Sequence, residues 1–397
     1  MSATKQAYEN RDLKVYAPQL ERLDARLDEF LSEDHRQFMI VRAHRYGVPI
    51  YEYCGGVSTK EYGIKQDTLS CVASITKPVA AALIMKLQED GLLDVVDSMS
   101  MYFDSFKGDD KESIQIYHLL THTSGIIDDD FFEFQREYVK NEFGISFPPD
   151  GATDEEWRDF EKKVNQKMGL DEEASFHDRS QQMLAFFKPT KKPCDVMSYC
   201  NFGYRVIGKL VEKVSGMTID EYAKKVIFEP LGMADSHFFL PEEKWQRMAG
   251  RNEKCCDQEY LNSEHCFMND MASGGMKTTV IDMCRFGDMI LGGGTLDGVR
   301  ILSPASIREM STNHNLKIVE AGEWDSWGLG FNVRGTKKDD AGVLRSAVSL
   351  EHGGAWGHKF LADPEYGVVI SVFTGEYDPP GKNVFYPINN MIISALD

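Results

Sequence analysis

Residues 69–91 read LSCVASITKPVAAALIMKLQEDG and carry the clearest structural signal in the chain. An apolar, strand-like run precedes Ser74, and Ser74 and Lys77 then open an apolar stripe that continues to Gly91. Apolar residues at three- and four-residue steps indicate a helix. Pro78 fits the first turn of that helix because its missing N–H would be unpaired there. The stretch predicts a serine at the start of a long helix.

Ser74 and Lys77 form the pattern S-x-x-K, which has a chemical as well as a structural interpretation. A serine at a helix N-terminus lies beside unpaired N–H groups that stabilise an oxyanion. Lys77 follows one turn later, so its amine lies on the same face. A buried lysine loses its proton easily enough to act as a base. The alternative is an N-cap serine followed by a surface lysine, and the motif alone leaves both interpretations open.

Two further short motifs carry candidate functional residues. Tyr199-Cys200-Asn201 precedes a helical stretch, although the same Y-x-N spacing also occurs at Tyr260-Leu261-Asn262. His352-Gly353-Gly354 lies on a predicted strand. Two glycines weaken a strand and are tolerated where a ligand or a backbone comes very close. Neither motif decides the function alone.

Both ends of the chain carry the same structural ingredients. An amphipathic helix over residues 17–32 precedes two strand-like runs joined at Tyr46-Gly47, and further strand-like runs and a helix close the chain. We predict an α+β fold in which antiparallel strands are flanked by the terminal helices. Residues 1–73 and 335–397 would form one discontinuous sheet domain, and residues 74–334 a mostly helical domain inserted between them.

The helical domain contains an unusual segment. Residues 126–190 hold sixteen acidic residues against eight basic ones, with aromatic residues interleaved. So many aromatic side chains imply packing, so we predict an ordered insertion rather than a solvated tail. A cover over the cleft and a protein-interaction surface are two hypotheses for its role. A further helix is predicted over residues 276–291, which read MKTTVIDMCRFGDMIL.

The order of the three motifs and the phrases around them resemble a known family. The supporting phrases are HLLTHTSGI at 118–126, FEPLGM at 228–233, ASGGMKTT at 272–279 and WGLGF at 327–331. Together they resemble the serine beta-lactamase and penicillin-binding-protein superfamily, and most of all its class C branch of esterases, D-amino-acid peptidases and beta-lactamase-related hydrolases. The resemblance implies a beta-lactamase/transpeptidase-like fold.

The resemblance also implies a role for each motif. Ser74 would be the acylated nucleophile and Lys77 its base or proton partner. Tyr199 would act as a phenolate base, which requires a pKa well below the ordinary value of about 10. Asn201 would hold the carbonyl side of the substrate, and the backbone N–H groups of Ser74 and Ala355 would form the oxyanion hole.

One departure from the family pattern concerns the third motif. Beta-lactamases and D,D-peptidases usually carry Lys-Thr-Gly there, where the cation and the hydroxyl bind a substrate carboxylate. This chain has His352, Gly353 and Gly354, so the fixed charge is replaced by a titratable imidazole. The resemblance therefore implies an esterase or amidase with a less anionic substrate. His122, in the HTSG phrase, is expected to order a loop.

The composition excludes several classes of protein. Apolar residues make up 42% of the 397, as in a globular protein with a sizeable core. Acidic residues outnumber basic ones by 63 to 44, and this charge repels nucleic acids and anionic lipid surfaces, so we predict neither as a partner. No window approaches the ~18 apolar residues of a membrane span, and the first residues lack a signal-peptide core. We predict a cytoplasmic protein.

The eight cysteines show no C-x-x-C pair. Cys255-Cys256 with His265-Cys266 is one candidate metal site, but thiols in a reduced cytosol are the favoured interpretation. We predict no metal and no cofactor.

The sequence thus predicts a metal-independent serine hydrolase that cleaves a small-molecule ester or amide through an acyl-serine intermediate. A D-amino-acid-specific peptidase or amidase, or an acyltransferase of the same fold, is the alternative. From a different class, a non-catalytic relative could bind an acyl ligand or build a scaffold. The presence of Ser74, Lys77 and Tyr199 together favours an active enzyme. The oligomeric state stays open.

Overall fold

The computed structural model describes residues 13–32, 36–108, 111–149, 151–255, 257–316, 326–339, 341–376 and 384–397. Its strands are β1 (Phe38–Arg45), β2 (Val48–Gly56), β3 (Ser70–Cys71), β4 (Lys277–Thr278), β5 (Thr295–Leu296), β6 (Val299–Arg300), β7 (Asn332–Val333), β8 (Leu350–Gly354), β9 (His358–Asp363) and β10 (Val368–Thr374). Six of them form one antiparallel sheet in the order β2-β1-β10-β9-β8-β7. Strands from both ends of the chain therefore share one sheet, and the α+β prediction is confirmed.

The helices occupy both ends and the middle of the chain. They are α1 (Ala17–Leu31), α2 (Thr76–Glu89), α3 (Ile116–Leu120), α4 (Asp128–Phe143), α5 (Asp154–Met168), α6 (Phe176–Leu184), α7 (Asn201–Ser215), α8 (Ile219–Ala223), α9 (Glu229–Leu231), α10 (Gln258–Leu261), α11 (Glu264–Phe267), α12 (Val280–Leu291), α13 (Pro304–Ser311) and α14 (Phe385–Ile393). A π-helical turn, Lys224–Phe228, joins α8 to α9.

The two tight hairpins of the sheet follow from local sequence. Tyr46 and Gly47, between β1 and β2, both have positive φ, the geometry whose twist matches paired strands. Gly367, also at positive φ, precedes β10 and completes the turn from β9. The turn at Tyr46-Gly47 lies where the sequence predicts it.

The sheet separates two apolar cores because alternate strand residues point to opposite faces. Met39 and Val41 of β1 pack with residues of α1 and α14 on one face. Phe38 and Ile40 belong to the larger core on the other face, which includes α2, α7 and α12. Helix α12 lies directly on β10, where a Cβ on Gly287 would stand 2.5 Å from Val369. The segment that carries Ser74 is held in this larger core through Val72 and Ile75.

The helix predicted over residues 276–291 is shorter in the structure. It begins at Val280, with the Thr279 side chain as its N-cap. Lys277–Thr278 instead pair with Ser70–Cys71 as β4 and β3. The short ladder fixes the strand that leads to Ser74, and tertiary pairing thus overrides the helical pattern there.

The segment 126–190 forms three helices, α4 to α6, that enclose their own apolar cluster. The cluster contains Val139, Phe160, Val164 and Met183. At its base, backbone hydrogen bonds join Cys194 N to Thr123 O (2.8 Å) and Ser198 N to His122 O (2.9 Å). Phe134, Tyr138, Phe143 and Phe147 pack against this cluster, in a unit that leaves and rejoins the chain beside the Tyr199 motif. A covering role stays a prediction, as do the predicted domain boundaries.

Two features of the described residues bear on the predicted partners. No helix among them is long and apolar enough to cross a membrane. No group of three His, Cys, Asp or Glu side chains among them is placed to hold a metal ion. Of the cysteine cluster, Cys256 lies outside the described residues, and Cys255 and Cys266 are both buried.

Candidate active site

Ser74 lies in a tight turn between β3 and α2. The 3-10 turn Ala73–Ile75 leads directly into α2, and Ser74 is partly exposed between two buried neighbours. Ala73 adopts a positive φ of 46°, which a non-glycine residue rarely does. Such strain persists only where the surrounding structure holds it in place, and it clusters at functional sites. The turn therefore presents the Ser74 hydroxyl in a fixed position.

Lys77 is fully buried, so the alternative of a surface lysine is wrong. Its Nζ lies within hydrogen-bond distance of three oxygens, Ser74 Oγ (3.0 Å), Asn201 Oδ1 (2.9 Å) and Ser273 O (2.7 Å). Burial lowers its pKa to about 7, and the charge of Asp128 opposes that shift. Near neutral pH a large share of Lys77 is therefore an uncharged amine that can accept a proton.

Tyr199 contacts both residues of the S-x-x-K motif. A side-chain hydrogen bond joins it to Ser74, and Lys77 Nζ lies 4.7 Å from its ring centroid. Although 38% of the residue is exposed, desolvation is the main cause that raises its pKa above the ordinary value, and the Ser74 hydrogen bond only partly opposes it. The lowered pKa that the resemblance implies is therefore wrong for this site. Tyr199 is a neutral phenol here.

Asn201, two residues after this tyrosine, begins α7. Its Oδ1 accepts from Lys77, which directs its amide NH₂ elsewhere. The Cys200 Sγ caps the helix by accepting from Gly203 N (3.3 Å). The carboxylate of Asp128 accepts from the backbone N–H of Asn201 (2.7 Å). The second motif is thus attached to the first through Lys77.

His352-Gly353-Gly354 forms the end of β8, next to the turn that holds Ser74. A Cβ on Gly354 would lie 2.2 Å from the Val72 carbonyl oxygen, so only glycine permits this approach. His352 Nδ1 is hydrogen-bonded to the Gly353 carbonyl (2.7 Å), and burial lowers its pKa to about 3. The imidazole is therefore neutral at physiological pH and supplies no cation.

Ala355 opens the turn Ala355–Gly357, which packs against the turn that holds Ser74. The next residue, Trp356, has a positive φ of 63°. Its indole N–H donates to Asp257 Oδ2 (2.5 Å) and thereby anchors the strained turn. The structure therefore brings all eight predicted site residues together on three adjoining segments.

His122 acts on the loop that carries Tyr199. Its Nδ1 accepts from Cys200 N (3.0 Å), and its ring lies 4.4 Å from the Tyr199 ring. Burial holds its pKa well below the ordinary value, so the ring is neutral. Trp327 packs between His122 and His352, with its ring 5.0 Å from the His122 ring and 5.6 Å from the His352 ring. These contacts position the second motif.

Three site residues were not identified from the sequence. Ser273 contributes only its carbonyl, and side-chain patterns carry no signal for a backbone acceptor. Trp327 opens the WGLGF phrase, which marked the region but not its contact. Asp128 was counted among the acidic residues of the insertion. Its position three residues after the end of the HTSG phrase is the signal that could have identified it.

The family model of beta-lactamases matches residues 23–386. The chain belongs to the beta-lactamase family. The predicted membership of the serine beta-lactamase and penicillin-binding-protein superfamily, with its beta-lactamase/transpeptidase-like fold, is therefore confirmed.

Several relatives are enzymes by name. Esterase EstB from Burkholderia gladioli is 26% identical over 379 residues, which cover 89% of each chain. The structure of EstA from Arthrobacter nitroguajacolicus Rue61a matches with a TM-score of 0.68 and 18% identity over 97% of this chain and 98% of that one. D-amino acid amidase from Ochrobactrum anthropi SV3 matches with a TM-score of 0.64 and 18% identity over 94% and 98%. The chain is thus a member of a serine hydrolase superfamily.

Proposed function

We propose that the chain is a serine esterase that cleaves small esters through an acyl-Ser74 intermediate. The observation that carries the proposal is the buried Lys77 amine, 3.0 Å from the Ser74 hydroxyl and with a pKa lowered to about 7. The likeness to esterase EstB over 89% of both chains supports an ester as substrate.

Lys77, rather than a Tyr199 phenolate, is the base in the resting site. A neutral amine has two N–H donors and one lone pair. The two oxygens that can only accept, Asn201 Oδ1 and Ser273 O, take the two donors. The lone pair then faces the Ser74 hydroxyl, whose proton it accepts as the oxygen attacks the substrate carbonyl.

Tyr199 completes the proton path to the leaving group. Its neutral hydroxyl, hydrogen-bonded to Ser74, can donate a proton to the departing alkoxide and recover one from the Lys77 ammonium. Addition of Ser74 Oγ to the carbonyl carbon gives a tetrahedral oxyanion, and the acyl C–O bond to the alcohol breaks when this oxyanion collapses to the acyl-enzyme. Water then attacks the acyl group, with the same lysine and tyrosine moving its proton.

The remaining residues bind the substrate. The backbone N–H groups of Ser74 and Ala355 would hold the oxyanion, and the Asn201 NH₂ would donate to the acyl side. Because His352 is neutral, the third motif does not attract a carboxylate. The site therefore favours uncharged esters over substrates with the carboxylate of a penicillin.

The experiment compares hydrolysis of a short-chain p-nitrophenyl ester by wild type, Ser74→Ala and Ser70→Ala. Ser70 is a matched control because it is buried nearby and its hydroxyl has no hydrogen-bond partner among the described residues. Ser74→Ala should lose activity, and Ser70→Ala should keep it. A fluorophosphonate adduct seen by intact mass spectrometry should form on wild type and Ser70→Ala only. Equal hydrolysis by wild type and Ser74→Ala would reject the proposal.

A substrate panel separates the esterase from its alternatives. Neutral esters should have the highest kcat/KM, ahead of D-amino acid amides and lactams. A higher kcat/KM for D-amino acid amides would replace the esterase by the amidase alternative. Ester formation in the presence of an added alcohol would instead indicate acyl transfer.

A further inference from the structure

Asp128 links the insertion to the candidate active site through its side chain. It is the first residue of α4, yet its carboxylate lies at the start of α7. Oδ2 accepts from Asn201 N (2.7 Å), and Oδ1 accepts from Phe202 N (3.1 Å) and from the Cys200 thiol (3.1 Å). A carboxylate at this place satisfies N–H groups that the helix leaves unpaired.

These contacts fix the segment whose side chains surround the lysine amine. Asn201 donates its backbone N–H to Asp128, and its side-chain oxygen accepts from Lys77. Tyr199, two residues earlier, lies over Lys77. Movement of the Asp128 carboxylate would therefore be transmitted to both contacts of the lysine.

The groups that face Lys77 come from every neighbouring element. Ser74 lies on the same segment as Lys77, three residues earlier. Tyr199, Asn201 and Tyr204 face the lysine from α7 and the residues just before it. Neutral His122 and His352 lie nearby, and Ser273 presents a carbonyl. Among charged groups, Asp128 favours the ammonium form and Arg205 disfavours it.

We infer that Asp128 is a positioning residue that holds the Tyr199–Asn201 segment against Lys77 and supplies a negative charge to this amine. The inference rests on the proposed function for its catalytic meaning. The effect of the Asp128 charge on Lys77 is a property of the protein without substrate. Removal of the charge should therefore change the proton affinity of Lys77 whether or not the substrate class is correct.

The experiment measures the Lys77 pKa by NMR titration of protein carrying lysine labelled with ¹³C at Cε, with the resonance assigned from Lys77→Met. In Asp128→Asn the Lys77 pKa should fall by about one unit, since a neighbouring opposite charge is lost. The low-pH limb of kcat/KM should move to lower pH by the same amount, and kcat should fall about tenfold. Asp129→Asn, on the exposed next residue of the same helix, is the matched control and should match wild type.

The conservative variant separates charge from packing. Asp128→Glu keeps the charge, so its Lys77 pKa should stay near the wild-type value while kcat falls. An unchanged Lys77 pKa in folded Asp128→Asn would overturn the inference. So would a fall of the Lys77 pKa in Asp128→Glu as large as the fall in Asp128→Asn. Asp128→Ser carries the same expectation and replaces Asp128→Asn if the latter does not fold.

The two proposals fail in different ways. Full hydrolysis by Ser74→Ala would remove the proposed function, while the NMR titration would still report on Asp128. Loss of hydrolysis in Ser74→Ala, together with an unshifted Lys77 pKa in Asp128→Asn, would leave the esterase and remove the role of Asp128.

Discussion

The Nζ of Lys77 lies 3.0 Å from the Oγ of Ser74, at a position where no part of the lysine is exposed. Burial lowers its pKa from 10.5 to about 7 because water no longer solvates the ammonium. A solvent-exposed lysine would be almost entirely charged at neutral pH and could not accept the serine proton. Burial therefore gives this lysine the proton affinity of a base.

Replacement of Lys77 by arginine tests the need for a neutral amine. A guanidinium keeps its proton at every accessible pH, so kcat/KM for a short ester should fall by about 10²–10⁴. Lys86→Arg is the matched control, since Lys86 lies on the same helix, is partly exposed and pairs with Asp90 (2.5 Å). Steady-state kinetics measure both. An active Lys77→Arg enzyme would show that another group is the base.

Tyr199→Phe removes the hydroxyl of the proposed proton relay and keeps the ring that packs on His122. We expect kcat/KM to fall by about 10²–10³ with little change in stability. Tyr204→Phe is the contrasting variant, because its hydroxyl donates to the Leu120 carbonyl (2.8 Å). It should lower the free energy of unfolding in urea by about 1 kcal/mol and leave kcat/KM within a few fold. A large loss of kcat/KM in Tyr204→Phe with little loss in Tyr199→Phe would contradict the proposed relay.

The pH dependence of kcat/KM should follow the protonation of Lys77. The amine is active when neutral, so kcat/KM should rise with pH and reach half its maximum near pH 7. The pKa of Tyr199 is raised, so the plateau should continue to at least pH 10. His352, with a pKa of about 3, adds no limb near neutrality. A flat profile from pH 5 to 9, measured with a neutral ester, would exclude Lys77 as the base.

Gly354→Ala tests the close approach of β8 to the turn that holds Ser74. The added Cβ would meet the Val72 carbonyl at 2.2 Å, and a shift of that backbone displaces Ser74. We expect kcat/KM to fall by about 10² or more and the Tm to fall as well. In Gly353→Ala the new Cβ meets only the flexible end of Lys359, 3.0 Å away, so both losses should be smaller. Equal losses would contradict this assignment.

Local patterns predicted much of the fold because they act over short distances. The apolar steps of α1, the turn at Tyr46-Gly47 and the apolar stripe of α2 are each set by residues within one element. The helix predicted from Met276 was wrong in its first turn, since Lys277–Thr278 pair with a strand some 200 residues earlier in the chain. That pairing has no local signature.

The sequence by itself established the family, the order of the three motifs and the candidate residues Ser74, Lys77 and Tyr199. Only the tertiary structure decided their protonation. Burial lowers the pKa of Lys77 to about 7 and raises the pKa of Tyr199, and the charge of Asp128 acts to raise both pKa values. Residue types and spacing can indicate which groups meet. Desolvation and neighbouring charge depend on every segment packed around them, and those segments come from distant parts of the chain.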